Sequence, residues 1–388
     1  MSIPRGVVLP AVTGIRFPAA ALVLIGHAAM FNAWVAPLND YFWADAVPFF
    51  FLLSGFILAH VYPSLDNWAA RKQFLVARIA RIYPLHLATF LLVVLLLPPD
   101  VRTSLEKPIR VLKNLTLTQS WSSKADVFFS FNPPAWSLSV EFFLYACFPL
   151  LIYKWRRVWW LWLPATYLVV MNVHHLMPRA ATSGTLPLRY IFLFTVGMAA
   201  ASVYRWLQPR VHYGRLVGTM LELGAGVLLF YRHSLFSGHF AAMGAPLAYA
   251  SVVLVMALGR GWIAQLFATR PLVVLGESSF ALYMFHHVVL RWMNVVGMQE
   301  ALSAGAYLLF YVTVSMVGAL ALWRYVECPA RNWIMARYKA RQAKSAAQAA
   351  EPLAQPAATV DPRVPQPHFL RKADEQTTKA GRSESVAD

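Results

Sequence analysis

Apolar stretches of about twenty residues recur along the first 325 or so positions of this chain, each near the length needed to cross a ~30 Å hydrocarbon core. That recurrence limits the fold more than any other feature. Lipid offers backbone N–H and C=O groups no partners, so spanning segments must be helices unless a barrel closes, and these runs are longer than barrel strands. The pattern predicts an all-α, polytopic transmembrane bundle of about ten helices, near 12–34, 42–62, 82–98, 134–153, 158–175, 188–207, 216–232, 241–259, 272–292 and 302–325.

Composition agrees: 59% of residues are hydrophobic and 13% charged, against about 25% charged for a soluble domain. The formal charge of +17 does not signal nucleic acid, because the basic residues lie between apolar segments and in the C-terminal tail. They fit the positive-inside rule instead. Arg71, Lys72, Arg78 and Arg81 follow the second span, Lys154, Arg156 and Arg157 the fourth, Arg205, Arg210 and Arg215 the sixth, and Arg260 and Arg270 the eighth. Arg331, Arg337, Lys339 and Arg341 follow the tenth. Even-numbered spans then end in the cytoplasm, with both termini cytoplasmic. The segment 99–133, with Arg102, Lys107, Arg110, Lys113 and Lys124, goes against the rule, but the other loops outvote it.

Residues 1–335 read as one membrane domain. Residues 336–388, rich in Ala, Pro, Gln and basic side chains, read as a disordered cytoplasmic tail. Met1 to Pro10 lacks a small-residue cleavage pattern, so the first apolar stretch is expected to be a retained helix. Cys147 and Cys328 support no disulfide framework, and no metal-ligand spacing is present.

Polar residues inside such spans point to function, because they are costly in lipid. Arg16 and His27 are eleven positions apart on the first span. At about 100° and 1.5 Å per residue they share one helix face, within about 20° of each other and about 16 Å apart along the axis. His27 is either a packing residue or a general base. Arg16, after Gly14 and before Pro18, is either a boundary anchor or a guanidinium that binds an anionic donor.

The fourth span opens Trp136-Ser137-Leu138-Ser139-Val140-Glu141, with Glu141 about two turns inside. A carboxylate there needs a partner. His27 or an inward-facing arginine is expected, so Glu141 either orients a base or forms a structural ion pair. Arg78 and Arg81, three apart and followed by Tyr83-Pro84, suit either lipid phosphates or the phosphates of a nucleotide-bearing donor. Ser54-Gly55 permits close helix approach. Tyr283 and His286 share a face of the ninth span, whereas the adjacent pairs His286-His287 and His174-His175 diverge and suit no metal. At the end of the tenth span, Glu327 and Arg331 are expected to pair with each other.

These blocks, in this order, resemble the integral-membrane acyltransferase 3 family over about residues 10–333. The resemblance rests on Thr13-Gly14-Ile15-Arg16 with ten residues before His27, Phe51 to Phe56, Arg78 to Pro84, Trp136 to Glu141, Tyr283 to His286, and Glu327-x-Pro329-x-Arg331. It implies about ten membrane helices, an acyl-coenzyme A donor used as co-substrate on the cytoplasmic side, and acyl transfer to a hydroxyl, commonly on an extracytoplasmic glycan. It also implies that Arg16 and His27 matter for activity. In many members the glutamate matching Glu141 is followed by a second acidic or polar residue; here Phe142 and Phe143 follow, against a paired-carboxylate mechanism. Some members add a secreted hydrolase-like domain. None is present here, so direct transfer within the bundle is expected.

The sequence thus reads as a multi-pass O-acyltransferase of a bacterial inner membrane. Its expected partners are lipids, an acyl-CoA donor, acetyl-CoA foremost, and a glycan or small-molecule hydroxyl. His27, Arg16 and Glu141 are the expected catalytic residues, and Arg78, Arg81 and Tyr83 the donor-binding ones. Ser54, Trp136, Ser137, Ser139, Tyr283 and His286 are expected to line the acceptor side. A proton-coupled transporter using His27, Glu141 and His286 as a relay is the competing class, disfavoured because no duplicated halves are evident.

Overall fold

The computed structural model describes residues 9–29, 43–96, 98–176, 185–236 and 241–350. Positions 30–34 of the first expected span and the tail beyond 350 lie outside the described residues. Among the described residues the chain is helical and contains no strand.

Each segment expected to span overlaps a helix among the described residues. The first, α1, is Pro10–Ala29, followed by α2 (Trp43–Val61) and α3 (Trp68–Leu96). Next come α4 (Trp136–Leu151), α5 (Trp155–Met171), α6 (Ile191–Leu207) and α7 (Arg215–Leu235). The last long ones are α8 (Ala241–Leu258), α9 (Arg270–Val295) and α10 (Ala304–Leu322). Six stretches, containing α1, α3, α4, α6, α9 and α10, are long and apolar enough to cross a membrane; α2 and α8 contain shorter apolar helices, Asp45–Val61 and Met243–Leu258. α5 opens Trp155-Arg156-Arg157, and α7 carries Arg215, Glu222 and Arg232 along its length.

Prolines sit inside α2, α3, α4, α5 and α8, at 48, 84, 149, 164 and 246. A soluble helix tolerates this poorly, whereas in lipid a helix remains the backbone's best option and neighbouring groups satisfy the freed carbonyls.

Close approach between helices relies on small residues. A Cβ on Gly55 in α2 would stand 2.0 Å from the carbonyl oxygen of Phe194 in α6, and one on Gly276 in α9 would stand 2.0 Å from that of Thr13 in α1. Dispersion at such short range replaces the hydrophobic drive that lipid removes. Gly55→Ala is expected to destabilise the bundle by about 2 kcal/mol through overpacking. A lower midpoint of thermal unfolding in detergent reads that effect; an unchanged midpoint contradicts the packing.

Side-chain contacts sort the bundle into two ends. At one, the start of α1 packs against α9, and α3 and α9 meet residues 323–327 that follow α10. Phe74 of α3 lies 5.0 Å, centroid to centroid, from Phe148 near the end of α4. Arg205, late in α6, donates to the carbonyl of Ala59, late in α2 (2.8 Å). This is the end that collects the basic connections. At the other, the segment between α3 and α4 folds into the short helices Pro99–Leu105, Pro108–Leu115 and Ala125–Phe128. His86 donates to the carbonyl of Asn114 (2.9 Å), Asn132 to that of Met284 (2.9 Å), and Arg291 pairs with Asp100 (2.6 Å). This segment is therefore a tied cap on the bundle.

After α10 comes a π-helical turn, Trp323–Glu327, and then α11, Cys328–Ala350. The chain divides into two compact units, Met1–Ala336 and Arg337–Asp388. Residues 336–350, expected to open a disordered tail, are helical: Ala, Lys, Arg and Gln dominate this stretch and all are strong helix formers.

Candidate functional site

α1 breaks at Ile15, between Pro10–Gly14 and Arg16–Ala29. Pro18 explains the break, since it has no N–H to donate to the carbonyl of Gly14. Arg16 therefore starts a new helical segment. Its guanidinium lies within electrostatic reach of Arg81, Glu327, Glu141 and Tyr145. Among the described residues no carboxylate forms an ion pair with it. A cation without an ion-pair partner at the basic end is suited to an anionic ligand.

Arg81 is already engaged. Its Nη1 lies 2.6 Å from Oε1 of Glu327, which is wholly buried. This corrects the expected Glu327–Arg331 pair. A π turn takes more residues per turn than an α-helix, so the i, i+4 register that would align those two side chains is displaced at Glu327. Glu327→Gln should destabilise the protein by about 3 kcal/mol, the low end for a broken buried pair, because Arg81 keeps 20% exposure. Arg331→Ala should cost far less. Equal shifts of the unfolding midpoint for the two variants would contradict the assignment.

Glu141 is held by hydroxyls. Tyr145, one turn later on α4, donates a short hydrogen bond to its Oε1, and Ser54 of α2 donates to the same oxygen (3.5 Å). Among the described residues Glu141 hydrogen-bonds neither His27 nor an arginine, so the expected contact with the imidazole is not seen; the link to arginine is through the field it shares with Arg16. Arg78 sits in an aromatic box, 5.5 Å from the ring of Tyr62, 5.7 Å from Phe74 and 5.9 Å from Tyr145. Its Nη2 donates to the Tyr62 hydroxyl (3.3 Å). Its buried Nε has no hydrogen-bond partner among the described residues. Arg16, Arg78, Arg81, Glu141 and Glu327 form one charged cluster with a net positive sum.

His27 lies three turns further along α1. Its Nδ1 is 2.9 Å from the carbonyl oxygen of Val23 and 3.2 Å from Nε2 of His286. A carbonyl only accepts, so Nδ1 of His27 carries the proton and, in the neutral ring, Nε2 holds the lone pair. Nδ1 of His286 is 3.1 Å from the carbonyl of Leu282, so His286 is likewise protonated at Nδ1 and presents a lone pair at Nε2. His287 completes the group, with its ring edge-on to His27 at 5.6 Å. Among the described residues no cluster of His, Cys, Asp or Glu has the arrangement to hold a metal ion.

The remaining expected residues divide. Ser137 and Tyr283 both donate to the carbonyl of Pro134 (3.0 Å each), and Tyr283 stands 6.0 Å from the His286 ring. Trp136 lies 6.2 Å from Phe51 and 5.9 Å from Tyr190. Ser139 and Tyr83 do not belong with these. Ser139 accepts from the backbone N–H of Ser120 (3.3 Å), two residues and therefore about 200° around α4 from Ser137. The Tyr83 hydroxyl donates to the carbonyl of Leu115 in the cap (3.1 Å), away from any donor phosphates. Sequence reasoning missed Tyr145 and His287; the i, i+4 spacing of Glu141 and Tyr145 was the available signal for the first.

A separate apolar cavity of about 540 Å³ lies against the other face of α1, lined by Ile15, Pro18, Ala19 and Leu22 with residues of α7 and α8. None of the site residues borders it.

A family model described as an acyltransferase domain matches residues 9–324. The chain is 30% identical to Acyltransferase MdmB of Streptomyces mycarofaciens in an alignment covering 84% of this chain and 92% of that one. No solved structure matches. The match spans every residue of the charged and histidine clusters except Glu327 at its edge, and the chain belongs to the acyltransferase 3 family.

Proposed function

We propose that this protein is a membrane O-acyltransferase that moves an acyl group, acetyl foremost, from acyl-CoA to a hydroxyl of a cell-envelope carbohydrate or a related small molecule. The observation that carries the reading is α1 itself. It presents Arg16, with no ion-pair partner among the described residues, at one end of the path and His27, protonated at Nδ1, at the other.

In this reading the ten helices α1–α10 all cross a bacterial inner membrane, with both termini cytoplasmic. The CoA phosphates meet Arg16 and Arg78 at the basic end, while the thioester arm extends along α1 toward His27. Nε2 of His27 removes the proton of the acceptor hydroxyl as its oxygen attacks the thioester carbonyl. A C–O bond forms, the C–S bond breaks, and the imidazolium returns its proton to the departing thiolate. Glu141, fixed by Ser54 and Tyr145, offsets the positive field of the arginines. Ser137, Tyr283 and Trp136 face the acceptor.

Mass spectrometry of envelope glycans and small secreted products, from cells with and without the gene, tests this reading. A species heavier by one acyl group, and reverting on mild alkali, is expected only with the gene. Uptake of an unmodified substrate with no acylated product would replace the reading with a transporter.

A further inference from the structure

We propose that His286 is the positioning residue for the His27 base, and that it stabilises the imidazolium formed when His27 takes the acceptor proton. The proposal rests on the reading of His27 as base. It starts from two linked contacts: the Leu282 carbonyl accepts from Nδ1 of His286, leaving Nε2 of His286 as an acceptor 3.2 Å from Nδ1 of His27. The rings are inclined by 50° with centroids 5.0 Å apart.

The Val23 carbonyl is a weak orienting partner. Its oxygen is also the i−4 acceptor of the α1 backbone, so it divides its capacity between the helix and the imidazole. When Nε2 of His27 becomes protonated, the charge spreads over both ring nitrogens and Nδ1–H needs a stronger acceptor. The sp² lone pair of His286 is in place for it. His286 is wholly buried, and its own Nδ1–H is fixed within α9, so it responds without moving. No second proton transfer is required: the acceptor proton stays on Nε2 of His27 until the thiolate takes it. Among the described residues, His287, 6.2 Å from His286, also faces the pair, as does Tyr283, whose hydroxyl is committed to Pro134. Arg291, one turn beyond His287, is neutralised by Asp100. The arrangement matches the general logic of a base oriented by a third group, with an imidazole where a carboxylate or amide is more usual.

The test uses the full chain in inside-out membrane vesicles supplied with labelled acetyl-CoA, reading ester formed per inserted molecule. His286→Leu should lower kcat about 10²-fold while the KM for acetyl-CoA stays within about twofold. His286→Gln, whose amide oxygen reaches the place of Nε2, should recover kcat to within about tenfold of the unsubstituted chain. If His286→Leu fails to insert, His286→Phe keeps the ring volume without the acceptor and should show the same loss. Full kcat in His286→Leu or His286→Phe overturns the proposal, as does a His286→Gln variant no better than His286→Leu. His27→Ala runs beside them. Activity retained there defeats the base assignment itself, whereas activity lost there and kept in His286→Leu defeats only the positioning role.

Discussion

His27→Ala is expected to lower the turnover of acyl transfer by about 10³-fold while leaving the protein folded and inserted. A positioned general base contributes about 10²–10⁴-fold, and the middle of that range applies because the rest of the site still places donor and acceptor together. The substitution removes one imidazole from a half-buried position on a helix rich in alanine, so the structural cost is small. The acetyl-CoA KM should change little, because no donor phosphate contacts His27 in this account. Size-exclusion profiles in detergent check folding, and labelled ester formation checks the rate. Turnover within a few fold of the unsubstituted chain would remove His27 from the chemistry.

Arg16→Gln should raise the KM for acyl-CoA by about 10²-fold. Hydrogen bonds to charged groups contribute about 1.5–3 kcal/mol each, and about 1.4 kcal/mol is a factor of ten, so losing one or two bonds from guanidinium to phosphate reaches that size. Arg16→Lys should recover part of the loss, since it restores the charge and not the planar fork. Arg81 cannot take over, because Glu327 holds it. If Arg16 were only a topological anchor, the variant would insert poorly, yet each inserted molecule would work normally. An unchanged KM per inserted molecule selects that role.

The helical elements were legible because a span is written locally, as a run of apolar residues bounded by charge. The shared face of Arg16 and His27 was legible for the same reason. Their partners were not. His286 lies 259 positions beyond His27, and only the packing of α9 on α1, allowed by Gly276 against Thr13, brings the rings together. A regular helix would align Glu327 with Arg331, but the chain makes a π turn there and Glu327 pairs with Arg81. A buried carboxylate needs a partner, so the sequence alone points Glu141 to His27 or to an inward-facing arginine. The tyrosine one turn away and the serine of α2 meet that need with hydrogen bonds instead. Ser139 and Tyr83 lie close in sequence to Ser137 and Arg81, but helix rotation sends both toward the cap.

The central claim is that an acyl group passes directly from a donor held at Arg16 to an acceptor activated at His27. A rapid-quench single turnover, with labelled acetyl-CoA bound to excess protein in vesicles and a carbohydrate extract added as acceptor, tests it most directly. The account predicts label moving into an alkali-labile ester in one phase, no label retained on the protein, and a phase about 10³-fold slower in His27→Ala at full donor occupancy. An equal rate in His27→Ala would contradict it.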